Sequence, residues 1–191
     1  YIGSSNIGKS IFLANDAANY VKLGKNVVVV SAEMSETDFI HRIGANLLDV
    51  DISKYETLSR DEEFVKSKLA DVGSGFTAPG KLFIKEYPTS QVSVPDIEAY
   101  VKELSAVHGI AIDIVIVDYI NILTNHRNPK AEETYMKIKQ ICEDLRAMAI
   151  KNNFLVISAS QIGRSSYDST DFGLQAISES IALVHTADVV Y

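Results

Sequence analysis

The chain of 191 residues is 47% apolar and 23% charged, the balance of one globular domain with a single core rather than of a disordered or fibrous chain. A net charge of -7 excludes a surface that coats nucleic acid throughout, since neutralising phosphates takes clustered Lys and Arg, and confines any such contact to local loops. One cysteine, Cys142, excludes an internal disulfide and fits a reducing, cytoplasmic setting, while no apolar run approaches the roughly 18 to 20 residues that cross a bilayer.

Tyr1 and Ile2 lead straight into a glycine loop, and no basic region followed by an apolar one is there to suggest a signal peptide, so none is expected. Such a loop normally follows a buried strand, so the beginning reads as an excision point, and the strand-like end at 187–191 reads as another. Segment 10–23 spaces Ile11, Leu13, Ala14, Ala17, Ala18 and Val21 at helical intervals, and Gly24 stops it. Residues 26–31 hold four consecutive valines, which suits a strand covered on both faces of a parallel sheet. Ser35, with Asp38 three residues on, caps a helix reaching about Leu48. Ser59 with Glu62 repeats that logic for a helix to about Val72, ended by Gly73, Gly75, Pro79 and Gly80. The pattern then predicts a strand over 81–87, a helix opened by Pro95 to about Val107, and a strand of β-branched residues over 113–118. A polar loop to about Pro129 precedes a long helix over 131–152, with Ile138, Ile141, Leu145, Met148 and Ala149 on its apolar face; Cys142 is a small apolar residue on it. A strand over 154–159, a polar stretch over 163–173, a short helix over 174–183 and the terminal strand complete the chain. This alternation predicts one α/β domain over 1–191, a mainly parallel sheet flanked by helices.

Gly3-Ser4-Ser5-Asn6-Ile7-Gly8-Lys9-Ser10 fits the phosphate-loop pattern GxxxxGKS and opens a helix, as its mechanism requires. The glycines let main-chain N–H groups surround phosphate oxygens, Lys9 reaches the outer phosphates, and the Ser10 hydroxyl serves a magnesium ion, so ATP and Mg2+ are the expected ligands. Asp118 ends a buried strand at the side of the sheet where ligands bind, and is expected to hold the metal through water beside Ser10. Tyr119 follows it, so the water-activating acid is not the next residue. Glu33, just past the valine strand, is the candidate for that role. Taken singly, an acid at a strand end is often a loop residue, and a carboxylate in the first turn of a helix is favoured by the dipole alone.

Ser31-Ala32-Glu33-Met34-Ser35, with Arg42 on the next helix, resembles the segment that follows the phosphate loop in DnaB-type replicative helicases. Asp118-Tyr119, Ser160-Gln161-Ile162-Gly163-Arg164, Ser178-Glu179-Ser180 and Ala187-Asp188-Val189-Val190 resemble later motifs of that family in order, and Asn46 to Val50 with Glu143 to Ala149 is similar to its T-even phage branch. The resemblance implies a RecA-like core, an ATP-hydrolysing helicase, a homo-hexameric ring around single-stranded DNA, and a primase and helicase loader as partners in a bacterial host cytoplasm. It makes Gln161 the sensor of the γ-phosphate. His126, Arg127, Lys130 and Arg164 would lie on loops facing DNA, although Arg164 could equally serve the nucleotide. It also implies that an N-terminal collar and a C-terminal cationic finger lie outside this chain, so that the chain alone binds ATP but hydrolyses it slowly. A RecA-type recombinase, a small-molecule kinase and a nucleotide-binding regulator remain alternatives at this point.

Overall fold

The computed structural model describes residues 1–3, 6–73, 78–128, 134–161 and 183–191. Strands β1 (Ile2–Gly3), β2 (Val27–Ser31), β3 (Leu82–Glu86), β4 (Ile114–Asp118), β5 (Leu155–Ser158) and β6 (Ser160–Gln161) alternate with helices α1 (Lys9–Lys22), α2 (Glu36–Leu48), α3 (Ile52–Leu58), α4 (Glu62–Gly73), α5 (Val94–His108) and α6 (Thr134–Asn152). Four strands pair in the order β3-β2-β4-β5, and β1 pairs with β6; every pairing is parallel. The Tyr1 ammonium donates to the Ser158 carbonyl (3.0 Å) and the Ser160 N–H to the Tyr1 carbonyl (2.8 Å), so β1 continues the sheet beside β5. The α/β fold with a parallel sheet is as the sequence predicts.

All five residues of β2 and all five of β4 are buried, which explains why both read as unbroken apolar runs instead of alternating ones. Their side chains divide between two cores. Val28, Val30, Val115 and Val117 pack with Ile97 and Val101 of α5 and Ile138, Ile141 and Leu145 of α6. Val27, Val29, Ile114 and Ile116 pack on the other face with Leu13, Ala14 and Ala17 of α1 and Phe39 and Ile43 of α2. Burying each of the larger aliphatics contributes roughly 1.5–3 kcal/mol, so this double-faced burial is the main stabilising term.

Helix ends follow local chemistry. The Ser35 hydroxyl accepts from the Asp38 N–H (3.1 Å), capping α2 as expected, and Ser93 with Asp96 forms a reciprocal capping box on α5. Gly24 sits just past α1 at φ 77°, a left-handed position that suits glycine. The Lys22 ammonium on α1 donates to the Asn46 side-chain oxygen (2.7 Å) and main-chain carbonyl (2.9 Å) on α2, and the Asn46 amide donates to Asn15 of α1.

Two expectations differ from the fold. Ser59 does not cap the helix after it: it closes α3, and Asp61 instead accepts from the Phe64 N–H (3.0 Å) at the start of α4. The reason is register, since Glu62 is already the first helical residue and cannot act as the third. Helix α3 itself carries no buried residue and hence no apolar period to find. Residues 187–191 are not a strand, although the Tyr191 carbonyl accepts from the Ile2 N–H (3.0 Å) along the free side of β1. Most of the helix expected over 174–183 lies outside the described residues. Among the described residues, no helix is long and apolar enough to cross a membrane.

Ile116 lies at the centre of β4 with no exposed surface. Ile116→Ala should lower unfolding stability by about 2–5 kcal/mol in urea titration, through lost burial plus an unfilled cavity.

Candidate functional site

Strand β1 delivers the chain to Gly3, and the loop turns through Asn6 (φ 64°) and Gly8 (φ 93°) into α1. A side chain at Gly8 would strain that left-handed backbone, so the glycine is demanded by the turn. Lys9 is the first residue of α1, and its ammonium donates to the Gly3 carbonyl at 3.0 Å, folding back across the loop that precedes it. The opening N–H groups of any helix have no carbonyl one turn behind them and carry the positive end of the dipole, which together favour an anion. Burial lowers the Lys9 pKa, while the charges of Glu33 and Asp118 act to raise it. Asn6 and Ile7 are exposed on the loop; Ser4 and Ser5 lie outside the described residues.

Two acids flank β4, and their surroundings separate their roles. Asp113, before the strand, accepts the Asn26 N–H (2.8 Å) and faces Lys25 (3.7 Å), which makes it a structural tie. Asp118, at the strand's last position, is 1% exposed, and neither carboxylate oxygen accepts a hydrogen bond of full geometry. Burial pushes the Asp118 carboxyl above its ordinary range and Glu33 adds to this; the Ser10 hydroxyl, Arg42 and Lys9 pull the other way. An unpaired buried carboxylate beside a hydroxyl and an ammonium is costly unless something cationic completes it. Among the described residues no three His, Cys, Asp or Glu side chains gather to hold a metal ion. A hard-oxygen pair such as Ser10 and Asp118 fits Mg2+, which is usually held by one or two protein groups plus phosphates and water.

Glu33 stands two residues beyond β2. The buried Ser31 hydroxyl accepts from the Met34 N–H (2.9 Å) and the Glu33 N–H (3.4 Å), fixing the turn that presents Glu33, whose side chain is exposed. Its charge acts on Lys9, Asp118 and Tyr119. The Asp118–Tyr119 peptide is cis.

The register aligns these groups: Ser31 lies opposite Asp118, Val117 opposite Ser158, and Gly3 opposite Gln161. The sheet therefore brings Gly3, Glu33, Asp118 and Gln161 to the same edge, the carboxyl ends of its strands, with Lys9 and Ser10 across the loop. That edge is where open α/β sheets bind ligands. Gln161 is half-buried at the end of β6, and the side chain of Asn121 bonds both its main-chain groups.

Of the residues nominated for DNA, the described ones, His126 and Arg127, are engaged by acids of α6. Arg127 is ion-paired with Glu143 (3.1 Å) and Asp144 on α6, and His126 faces Asp144 (3.3 Å). Lys130 and Arg164 lie outside the described residues, as do Ile162, Gly163 and Ser178 to Ser180. Sequence reasoning missed Ser31, which pins the Glu33 turn, and Asn121. The signal for Asn121 was a lone amide between two isoleucines just after Asp118-Tyr119.

Comparison with known proteins agrees with this geometry. The profile of the DnaB-like helicase C-terminal domain matches residues 2–191. The chain belongs to the DnaB-like helicase C-terminal domain family. It is 34% identical over 184 residues to the DnaB-like replicative helicase of Enterobacteria phage T4, covering 96% of this chain and 38% of that protein. It is 27% identical over 161 residues to the replicative DNA helicase DnaB of Haemophilus influenzae, covering 83% of this chain and 33% of that protein. The chain thus spans well under half of either relative. Among solved structures, one described as an ATPase domain superposes with a TM-score of 0.72 at 22% identity, over 98% of this chain and 65% of that one. A DnaB-like replicative helicase studied with primase gives 0.68 at 20%, over 89% of this chain and 40% of that one. At these identities the likeness establishes the shared fold.

In this DnaB-like domain the raised Asp118 pKa has a definite sign. Folded protein binds a proton more tightly there than unfolded chain, so the carboxylate costs stability once pH rises above its unfolded value near 3.8, and costs nothing below it. Without nucleotide, Asp118→Asn should raise the melting temperature at pH 7, and the gain should shrink as pH falls towards 4 in parallel thermal melts.

Proposed function

We propose that this DnaB-like domain is the motor core of a replicative DNA helicase, hydrolysing ATP with Mg2+ to translocate on single-stranded DNA within a homo-hexameric ring. Family membership supports this reading. The observation that carries it is the convergence of the Gly8-Lys9-Ser10 loop with Glu33, the unpaired Asp118 and Gln161 at one sheet edge. In this scheme the loop N–H groups of residues 3–10, Ser4 and Ser5 among them, and the Lys9 ammonium bind the phosphates. Mg2+, when bound, would offset phosphate charge, held by the Ser10 hydroxyl and, through water, by Asp118. Glu33 orients a water and takes its proton as the water oxygen bonds the γ-phosphorus; the bond to the bridging oxygen breaks and ADP leaves. Gln161 donates its amide to a γ-phosphate oxygen and so registers whether that phosphate is present.

The acidic chain can still bind DNA if a few loop cations recur around a ring. Arg127, Lys130 and Arg164 are assigned that role, and Arg127 must exchange Glu143 and Asp144 for phosphate to fulfil it. Primase and a loader are the partners proposed, in the cytoplasm of a bacterial host. The 34% identity with the phage T4 helicase supports the phage-type reading over a recombinase.

Full-length protein should hydrolyse ATP faster with single-stranded DNA than without it; equal slow rates in both would sink the motor reading. Lys9→Ala should weaken nucleotide binding by roughly tenfold or more, as loss of a charge-assisted phosphate bond implies, in titration with a fluorescent ATP analogue. Glu33→Gln should keep that affinity and lose about 100- to 10,000-fold in turnover. Equal loss of binding in both variants would remove Glu33 from its role.

A further inference from the structure

Strand β6 is two residues long, and its neighbour on one side is β1. On its other side β4 has already ended at Asp118, and the chain turns through a 3-10 segment, Ile120–Ile122. A strand this short does not hold its own conformation. The side chain of Asn121 supplies what a neighbouring strand would have supplied. Its oxygen accepts from the Gln161 N–H (3.1 Å) and from the Ser160 hydroxyl (2.9 Å), and its amide nitrogen donates to the Gln161 carbonyl (3.3 Å). Gln161 N–H can only donate and its carbonyl only accept, so the amide orientation is fixed by its partners. A side-chain amide, with its donor and acceptor set side by side, is well matched to both main-chain groups of one residue.

The other end of Asn121 is also held. Its main-chain carbonyl accepts from the Lys137 ammonium (3.2 Å), near the start of α6. A lysine there opposes the helix dipole, and burial lowers its pKa, so its position is not one the helix itself favours. In the sequence, helix α6 comes after His126 and Arg127.

We propose that Asn121 is the positioning residue for Gln161, linking it through Lys137 to the helix that follows the first candidate DNA loop. This rests on the reading of Gln161 as the γ-phosphate sensor. Loss of the Asn121 amide should let Gln161 turn away from the phosphate and should uncouple hydrolysis from DNA, while leaving the phosphate loop itself intact.

The test measures ATP binding and steady-state hydrolysis by full-length protein, with and without single-stranded DNA, for Asn121→Ala, Gln161→Ala, their combination, and Lys137→Met. Asn121→Ala should lower kcat about 10- to 100-fold, as a misplaced catalytic group does, with KM for ATP nearly unchanged. The double variant should be no slower than Gln161→Ala alone, because both changes remove one function. Lys137→Met should lower the ratio of DNA-stimulated to DNA-free rate. Normal turnover of Asn121→Ala beside a crippled Gln161→Ala overturns this proposal and leaves the sensor reading standing. Normal turnover of Gln161→Ala removes the sensor reading, and this proposal with it. Asn121→Asp keeps the size and the acceptor oxygen, and should bind ATP normally while recovering part of the rate. Loss of ATP affinity in both Asn121 variants would make the residue a structural one and overturn the proposal.

Discussion

The hydrogen-bonded parallel register of β2, β4 and β5 is the constraint on which the candidate site depends. Parallel strands joined by crossovers all end on the same side, so a chain that satisfies its main-chain groups in this sheet has no choice about where its post-strand residues emerge. Ser31 opposite Asp118 is a consequence of that register, and the parallel pairing of β1 with β6 sets Gly3 opposite Gln161 in the same sense. The cost of breaking it is high, because β2 and β4 are buried on both faces and a slip of one residue would exchange the contents of the two cores. The acid, the amide and the phosphate loop are therefore located by apolar packing that none of them takes part in.

Within that frame the site runs against the stability of its surroundings. The carboxylate at Asp118 is buried without a full hydrogen bond, whereas the similar acid at the far end of the same strand, Asp113, is tied to a main-chain N–H and a lysine. A fold selected only to persist would have closed the Asp118 position with a donor or an apolar residue. Retained strain of this kind marks places where a ligand supplies the missing partner.

Legibility in the sequence followed how locally each feature is encoded. The valine run of β2, the β-branched run of β4 and the apolar stripe of α6 announce themselves because their period is a property of a few consecutive residues. The phosphate loop was equally plain, since its glycines, lysine and serine act on one turn of backbone. Strand order was not written in any segment, and neither was the role of Asn121, whose partner Gln161 lies 40 residues further on. Helix α3, with no buried residue, carried no pattern to detect, and the cap at Ser59 was misassigned because Asp61 offered a better-registered oxygen two residues later. Residues 187–191 have strand composition, yet composition alone does not supply the neighbour that a ladder needs.

The lysine on α1 that grips Asn46 of α2, with Asn15 behind it, fastens together the two helices whose leading ends carry Lys9 and follow Glu33. The two helices that follow the Gly8-Lys9-Ser10 turn and the Glu33 turn are thus tied to each other by side chains near their far ends, as well as through the sheet they both cover. On the opposite flank the two-residue strand has a lighter hold, its pairing with β1 on one side and the amide of Asn121 on the other.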